Sequence, residues 1–393
     1  MKKALVFYLY SNRNAGDMAI CLGTIRFLKQ QGFDITFVSR FGQRDQEYAE
    51  SCKYLAQYDP DVQVVPGFFD FDRSDPFFTR FRAYAQGFIK VAIPGIEKQL
   101  RLLLSDCDVV FFNGGNLLRG HTFADYMRLA ALFYPIHAAR KVGKKIYCLS
   151  QSSSKLDWIS KMMLNRYLSD FDQIYVREKM SYLKLKSTFP QMPFVRSTDM
   201  AFCIGQQKIA EDFFQKKYGY LPSDFIAVVV RYTQIGDLGM LPETVQQQLN
   251  SRVTEYMSQY PQSFYLVVIQ TEKDRLPSYE LVRQVRQNCK VDCIEEHDPY
   301  LLREIYRRAR FVLTMRLHAA ILAMSVSTPV MGIFSEKWGL KNSGILSDYQ
   351  MPYLVVEQQP YSRISDFIPA LAQAPTKDIP KRIQSFFSSE SFF

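Results

Sequence analysis

Several familiar signatures are missing from this chain of 393 residues, and each absence removes a class of chemistry. No Gly-x4-Gly-Lys-Ser/Thr loop is present, so ATP hydrolysis of the P-loop kind has no support. The dinucleotide fingerprint Gly-x-Gly-x-x-Gly is absent as well. There is no Gly-x-Ser-x-Gly elbow, and no Ser/His/Asp triad can be argued from spacing. Histidine is scarce at four residues, and His121, His137 and His297 stand apart without metal-ligand spacing. The seven cysteines are an odd number; only Cys289 and Cys293 are close, a poor zinc pattern. Cys148 and Cys203 lie in apolar runs and read as buried thiols, which suits a reducing cytosol better than a disulfide framework. Long apolar runs are lacking too. The longest stretch without formal charge, Leu317 to Ser335, contains His318, hydroxyls and Pro329 and parses as helix, turn and strand, not as a membrane span. Met1-Lys2-Lys3 before Ala4 to Tyr10 faintly resembles a signal peptide, but Asn12-Arg13-Asn14 interrupts it and no small-residue cleavage site follows. The stretch reads as the first strand of a soluble, cytoplasmic protein.

What is present is an ordinary globular composition, 47% apolar and 22% charged, with a heavy 15% of aromatics. The length exceeds what one core usually supports, so two domains are expected. A net charge of +10 favours anionic partners. The basic residues are dispersed and no nucleic-acid motif appears, which leaves phosphorylated substrates or a membrane surface and no nucleic acid.

Strand and helix patterns alternate along the first half: Leu5 to Tyr10, Phe33 to Ser39, Val62 to Val65, Asp108 to Phe112, Lys145 to Ser150 and Gln173 to Val176 read as strands. Asp17 to Gln30, Asp125 to Lys141 and Leu156 to Leu168 read as helices. Periodicity is lost between Gly205 and Pro222, and the alternation then restarts through Phe225 to Val230, Ser263 to Ile269, Val291 to Ile294, Phe311 to Met315 and Val330 to Phe334. Such an order predicts an α/β fold of two doubly wound parallel-sheet domains facing across a cleft. Their limits are 1–205 and 222–360, with 361–393 a terminal segment that returns to the first domain or stays apart. The Phe68 to Leu104 region interleaves aromatics with Arg73, Arg80, Arg82, Lys90, Lys98 and Arg101. It reads either as a lid packing its aromatics inward, the preferred reading, or as an interfacial amphipathic helix making a peripheral membrane contact.

Polar clusters recur at the predicted strand ends. Asn14-Ala15-Gly16-Asp17 follows the first strand: Gly16 permits close backbone approach, and Asp17 either caps the next helix or serves a substrate hydroxyl. Asn113-Gly114-Gly115-Asn116 could offer backbone N–H groups to a ligand or form a plain tight turn. Ser150 to Ser154 supplies hydroxyls and the amide of Gln151 after a strand. Arg177 stands in Val176-Arg177-Glu178, and Asp199 closes the half in Ser197-Thr198-Asp199. In the second half, Arg316 and His318 fall where the strand Phe311 to Met315 gives way to a helix. In open α/β sheets that crevice binds ligands, and helix-start N–H groups favour anions there.

Taken in order, Asn14-x-Gly16-Asp17, Asn113-Gly114-Gly115, Val176-Arg177-Glu178 with Ser181, Thr198-Asp199, and Arg316-Leu317-His318-Ala319-Ala320-Ile321 before Pro329-Val330 resemble the polysaccharide pyruvyl transferase family over about residues 4 to 342. The Arg-Leu-His element is the most specific of these. The resemblance implies two Rossmann-like domains arranged as in GT-B glycosyltransferases. It implies transfer of pyruvate, often as a ketal, from phosphoenolpyruvate to a cell-surface glycan or its lipid-linked precursor. The protein is expected in the cytoplasm or at the inner face of the membrane, and the chemistry is expected to need no cofactor or metal. Arg316, Leu317, His318 and Arg177 would be donor-site residues. Under that reading, Arg316 and Arg177 grip the carboxylate and phosphate of the donor, His318 is the acid and Asp17 the base, and Asn14, Gly16, Asn113, Gly114, Gly115, Gln151 and Asp199 complete the binding surface. Departures are Asn116 where a third glycine is common, Ser150 to Ser154 without the usual following Gly-Pro, and no aromatic–Asp pair before Lys337. Two alternatives stay open: a GT-B nucleotide-sugar glycosyltransferase, with Glu295 and Glu296 available to hold a ribose, and a non-catalytic partner in envelope-polysaccharide assembly.

Overall fold

The structure, a computed structural model, describes residues 1–69, 76, 78–79, 81–83, 85–86, 98–209, 212–219, 222, 224–233 and 239–387. Contacts divide the chain into two compact units. The first comprises Met1–Asn12 and Ile20–Ile204; the second comprises Arg13–Ala19 and Gly205–Phe393.

The first unit runs β1 (Lys2–Leu9), α1 (Ala15–Gln30), β2 (Phe33–Ser39), α2 (Gln46–Tyr58), β3 (Gln63–Val65), α3 (Lys98–Asp106), β4 (Val109–Phe112), β5 (Gly115–Gly120), α4 (Phe123–Lys141), β6 (Lys145–Leu156), α5 (Trp158–Leu168), β7 (Gln173–Val176), α6 (Lys179–Thr188) and β8 (Phe194–Arg196). Its strands are ordered β3-β2-β1-β4-β6-β7-β8, with β5 also paired to β6, and the pairings are parallel. Strands covered on both faces must be apolar throughout, and β4, Val-Val-Phe-Phe, is buried at every position. The aromatic excess goes largely into this core. Phe112 stacks on Phe133 at 5.0 Å and Phe133 on Tyr167 at 5.1 Å, while Phe171 meets Phe112 edge-on. Such pairs add roughly 0.5–1.5 kcal/mol each beyond their buried area.

The second unit continues through α7 (Phe213–Tyr218), β9 (Ile226–Val229), α8 (Glu243–Gln259), β10 (Phe264–Ile269), α9 (Arg275–Val285), β11 (Lys290–Glu295), α10 (Pro299–Arg308), β12 (Phe311–Thr314), α11 (Leu317–Met324), β13 (Val330–Phe334), α12 (Leu340–Asp348), β14 (Tyr353–Val355), α13 (Ile368–Ala372) and α14 (Ile379–Phe387). Its parallel sheet is ordered β11-β10-β9-β12-β13-β14. The described C-terminal residues pack within this unit: Arg363 pairs with Glu255 at 3.0 Å, and Arg382 lies over the Tyr349 ring.

In each sheet the chain builds outward from a central strand in one direction and then in the other. The reversal falls between β1 and β4 in the first unit and between β9 and β12 in the second. The carboxyl ends of those strand pairs are where a doubly wound sheet opens a crevice for ligands.

Two local expectations need correction. Helix α1 begins at Ala15, not Asp17, because Asn14 caps it: its Oδ1 accepts from Gly16 N at 3.1 Å and its carbonyl from Met18 N at 3.0 Å. Asp17 instead accepts from Asn14 Nδ2 at 2.9 Å, bracing the cap. Ser150 to Ser154 does not follow its strand but continues it, because β6 extends to Leu156. Those hydroxyls are buried where partners satisfy them, Ser152 donating to Glu178 at 2.8 Å and Ser154 to Asn116 at 2.9 Å. The Phe68 to Leu104 segment lies largely outside the described residues, Arg73 and Arg80 included. Of its described end, α3 buries Leu100 and Leu104.

Candidate functional site

In the second unit, β12 ends at Thr314 and α11 starts three residues later. Thr314 forces the turn, its hydroxyl accepting from Arg316 N at 2.9 Å. Arg316 is thereby the residue before the helix, half-buried and extended. Its guanidinium reaches across the end of β9 toward the end of β10. There Nη2 donates to Asp274 at 2.6 Å and to Thr271 at 3.1 Å, and Nε donates to the second Asp274 oxygen. Asp274 is fully buried, so this two-pronged pair is shielded from screening and holds the carboxyl edge of the sheet rigid. Beside it, Arg231 follows β9, donates its backbone N–H to Met315 Sδ at 3.4 Å and lies over the Trp338 ring.

His318 occupies the first turn of α11, half-buried, and Leu317 is buried beside it. The imidazole packs flush on Gly16: a Cβ at that position would stand 2.2 Å from His318 Nδ1 and 2.5 Å from Cγ. Gly16 belongs with Arg13–Ala19 to the second unit, so the turn before α1 and the start of α11 form one locus. Asn14, Gly16, Asp17, Leu317 and His318 are thus brought together, with Arg316 adjoining. The first N–H groups of an α-helix have no partner within the helix. Here they combine with the positive end of the helix dipole at the sheet's reversal point, an arrangement suited to an anion.

The first unit gathers the other residues singled out in the sequence, but around one another. Arg177 is buried, with Nη1 on Asp199 at 2.5 Å and Nε on Ser152 at 2.5 Å. Asp199 uses its other oxygen to cap the following turn at Ala201 N, 2.8 Å. Glu178 completes this cluster, accepting from Ser152 and Ser181. Asn113 is fully buried: its Nδ2 donates to Tyr8 O at 3.0 Å, and its Oδ1 accepts from Thr24 at 2.8 Å and Gly114 N at 2.9 Å. Gln151 donates to Asn113 O at 2.7 Å, and Tyr10 Oη donates to Gly114 O at 2.8 Å. Gly115 has φ +149°, a conformation that excludes side chains, and starts β5.

Glu295 and Glu296 are also engaged. Glu295 is gripped by Arg275, with contacts of 2.7, 2.8 and 3.0 Å, which holds its carboxyl below the usual range. Glu296 is buried, accepting from Lys217 at 2.5 Å and from Tyr218. Sequence reasoning missed Asp274 and Thr271. The signal existed, a polar Thr271-Glu272-Lys273-Asp274 cluster at a strand end, the same kind that drew attention in the first half. Among the described residues no His/Cys/Asp/Glu group could hold a metal ion, and no helix is long and apolar enough to cross a membrane.

The model of the polysaccharide pyruvyl transferase family matches residues 14–333. No curated protein matches the chain in sequence. Among solved structures, the chain resembles UDP-GlcNAc 2-epimerase from Methanocaldococcus jannaschii, with 10% identity, a TM-score of 0.54, and 99% of this chain and 94% of that one covered. The Neisseria meningitidis UDP-GlcNAc 2-epimerase bound to UDP-GlcNAc matches with 11% identity, a TM-score of 0.55, and 99% and 95% covered. A UDP-glucosyltransferase from Polygonum tinctorium matches with 12% identity, a TM-score of 0.55, and 98% and 92% covered. The tandem Rossmann-like, GT-B-type fold is therefore shared almost end to end. The expectation of phosphoenolpyruvate as partner is corrected by these likenesses, which are to enzymes named for UDP-sugars. The site agrees with the correction, since both guanidinium forks reserved for phosphoenolpyruvate already grip carboxylates of the protein, Asp274 and Asp199.

Proposed function

Because the chain belongs to the polysaccharide pyruvyl transferase family and has a GT-B-type transferase fold, we propose that it is a transferase of glycan assembly whose second unit takes a nucleotide-diphosphate sugar. The observation that carries this reading is the joining of the α11 start, His318 and the Asn14–Asp17 turn at the reversal point between β9 and β12. A diphosphate seated there meets helix-start N–H groups, and the helix dipole favours the charge that grows on it as the sugar–phosphate bond breaks. The Arg316–Asp274 clasp fixes the turn that presents those groups. In glycosyl transfer an acceptor hydroxyl oxygen bonds to the anomeric carbon, the diphosphate leaves with the electron pair, and a base takes the hydroxyl proton. His318 is that base in our reading, with Asp17 second, since imidazole titrates near neutrality. Leu317 and Gly16 fix the imidazole, while Arg177, Asp199, Asn113, Gly114, Gly115 and Gln151 stiffen the strand ends of the first unit.

The family match favours a second reading, in which the group delivered to the sugar is pyruvyl. One experiment separates the two. The protein is incubated with glycan or lipid-linked acceptors and, as donor, either UDP-sugars or phosphoenolpyruvate, nucleotide release is followed, and the products are weighed by mass spectrometry. Nucleotide release with a product heavier by one sugar, lowered roughly 10²-fold or more in His318→Gln, supports glycosyl transfer. A product heavier by one pyruvyl ketal, without nucleotide release, would transfer the case to the second reading.

A further inference from the structure

We propose that the helical face of the first unit formed by α5 and α6 docks on an anionic lipid surface. The sheet order places β6, β7 and β8 side by side in sequence order. Right-handed crossovers therefore put α5, which joins β6 to β7, and α6, which joins β7 to β8, on the same face. Gln191 after α6 donates to Asn165 of α5 at 2.6 Å, tying the two together.

This face is apolar where a surface helix should be polar. Trp158 is 73% exposed, Met162 62% and Leu183 56%. Trp158 and Met162 are one turn apart on α5, and Leu183 lies one turn after the exposed Lys179 on α6. Buried positions on the same helices are filled by Leu164, Tyr167 and Leu185, so the exposed residues are surplus to the core.

Charge supplies the partner's chemistry. The two helices carry Lys161, Arg166, Lys179, Lys184 and Lys186 and no carboxylate at all. Lys155 precedes them, exposed. The flanking carboxylates are engaged by the protein itself: Asp157 caps α5 at Ser160 N, 2.8 Å, and accepts from Tyr126, Glu178 is buried, and Asp170 pairs with His137 at 2.9 Å and with Arg166 at 3.4 Å, so the lysines carry the charge of this face. Burial, and to a lesser extent the neighbouring Lys161, lower the pKa of Lys184. A tryptophan with methionine and leucine, ringed by lysines, matches the acyl–headgroup boundary of an anionic leaflet: rings and thioether enter, and ammonium groups stay at the phosphates. Lys184 and Lys186 donate to the carbonyls of Ser154 at 2.7 Å and Met192 at 3.3 Å, while Lys155, Lys161 and Lys179 are the ammonium groups offered to headgroups. The inference stands independently of the reaction proposed above.

The chain has two tryptophans, and Trp338 is fully buried, so the emission of Trp158 is a built-in reporter. Full-length protein is titrated with phosphatidylcholine vesicles with and without phosphatidylglycerol, following emission and co-sedimentation. We expect a blue shift and sedimentation only with phosphatidylglycerol, weakened by salt. The triple change Lys155→Gln, Lys161→Gln, Lys179→Gln should weaken binding by about fivefold per lysine, roughly a hundredfold in all. Trp158→Ser with Met162→Ser should abolish it. Unchanged melting curves would show that both variants fold. Absence of vesicle binding at low ionic strength overturns the proposal, as does equal binding by wild type and both variants. A concentration-dependent dimer that Trp158→Ser dissolves, without lipid binding, would assign the face to a second copy instead.

Discussion

Gly16→Ala tests the candidate site with a single methyl group. The new Cβ would stand 2.2 Å from His318 Nδ1, and ordinary contact begins at 3.4 Å, so the imidazole must withdraw by the difference, about 1.2 Å. His318 Cβ is also close, at 2.7 Å from the added carbon, so a rotamer change alone does not relieve the clash. Overpacking of this kind costs about 1–3 kcal/mol. Replacing glycine by alanine within a helix returns up to about 1 kcal/mol. Net stability should therefore fall by roughly 0–2 kcal/mol, a change that urea unfolding resolves. Catalysis should suffer far more, since a displacement near 1 Å at a reacting group costs on the order of 10²-fold. The double variant Gly16→Ala/His318→Ala removes the obstructed ring, and the thermodynamic cycle should yield a coupling of about 1–2 kcal/mol. If Gly16→Ala is as active as wild type and more stable by the full helix-propensity gain, the imidazole does not lie on Gly16 and the site is misplaced.

Two further outcomes follow from the buried charges and thiols. Arg177→Met should lower stability by about 3–5 kcal/mol in urea unfolding, because Asp199 and Glu178 are left as buried carboxylates, and adding Asp199→Asn should recover part of the loss. Burial pushes the Cys107 thiol up to about 11 and Cys293 to about 12, whereas an unfolded thiol ionises near 8.5. Between those values the folded protein holds protons that the unfolded chain has released. Stability is therefore fully present below about pH 8.5 and falls as pH rises toward 11, by about 2 kcal/mol for each thiol at pH 10. Urea unfolding at pH 8, 9 and 10 reads this directly, and a flat profile would place the thiols in contact with water.

The alternation of elements was legible in the sequence because each buried parallel strand is an apolar run and each crossover helix a periodic one. β9, β10, β12 and β13 fall within a residue or two of where hydrophobicity puts them. Helices α2 and α6 were not read, since their few buried positions leave a weak periodic signal; α2 buries only Glu47, Ser51 and Leu55. The extension of β6 through Ser150 to Ser154 was hidden because serine has little strand preference of its own. What keeps those residues in the sheet is hydrogen bonding to Glu178, Ser181 and Asn116, from 26 to 38 positions away. Within the candidate site, Arg316 and His318 could be placed at a strand end from local pattern alone. That Arg316 spends its fork on Asp274, 42 residues earlier, is decided by tertiary structure and leaves no local trace. The same holds for Arg177 and Asp199, 22 residues apart. An arginine at a strand end announces an anion without saying whether the anion belongs to a ligand or to the protein.

The claim that the second unit receives a nucleotide-diphosphate sugar is tested most directly by isothermal titration of the full chain with UDP-sugars, UDP and phosphoenolpyruvate, in wild type and Arg316→Lys. The account predicts saturable binding of UDP or a UDP-sugar. That binding should weaken by roughly tenfold or more in Arg316→Lys, because a lysine cannot reproduce the two-pronged grip on Asp274 that sets the turn. The same ligand at a hundred times its dissociation constant should stabilise the protein by about 2.7 kcal/mol. Binding of phosphoenolpyruvate with none of any UDP compound would contradict it.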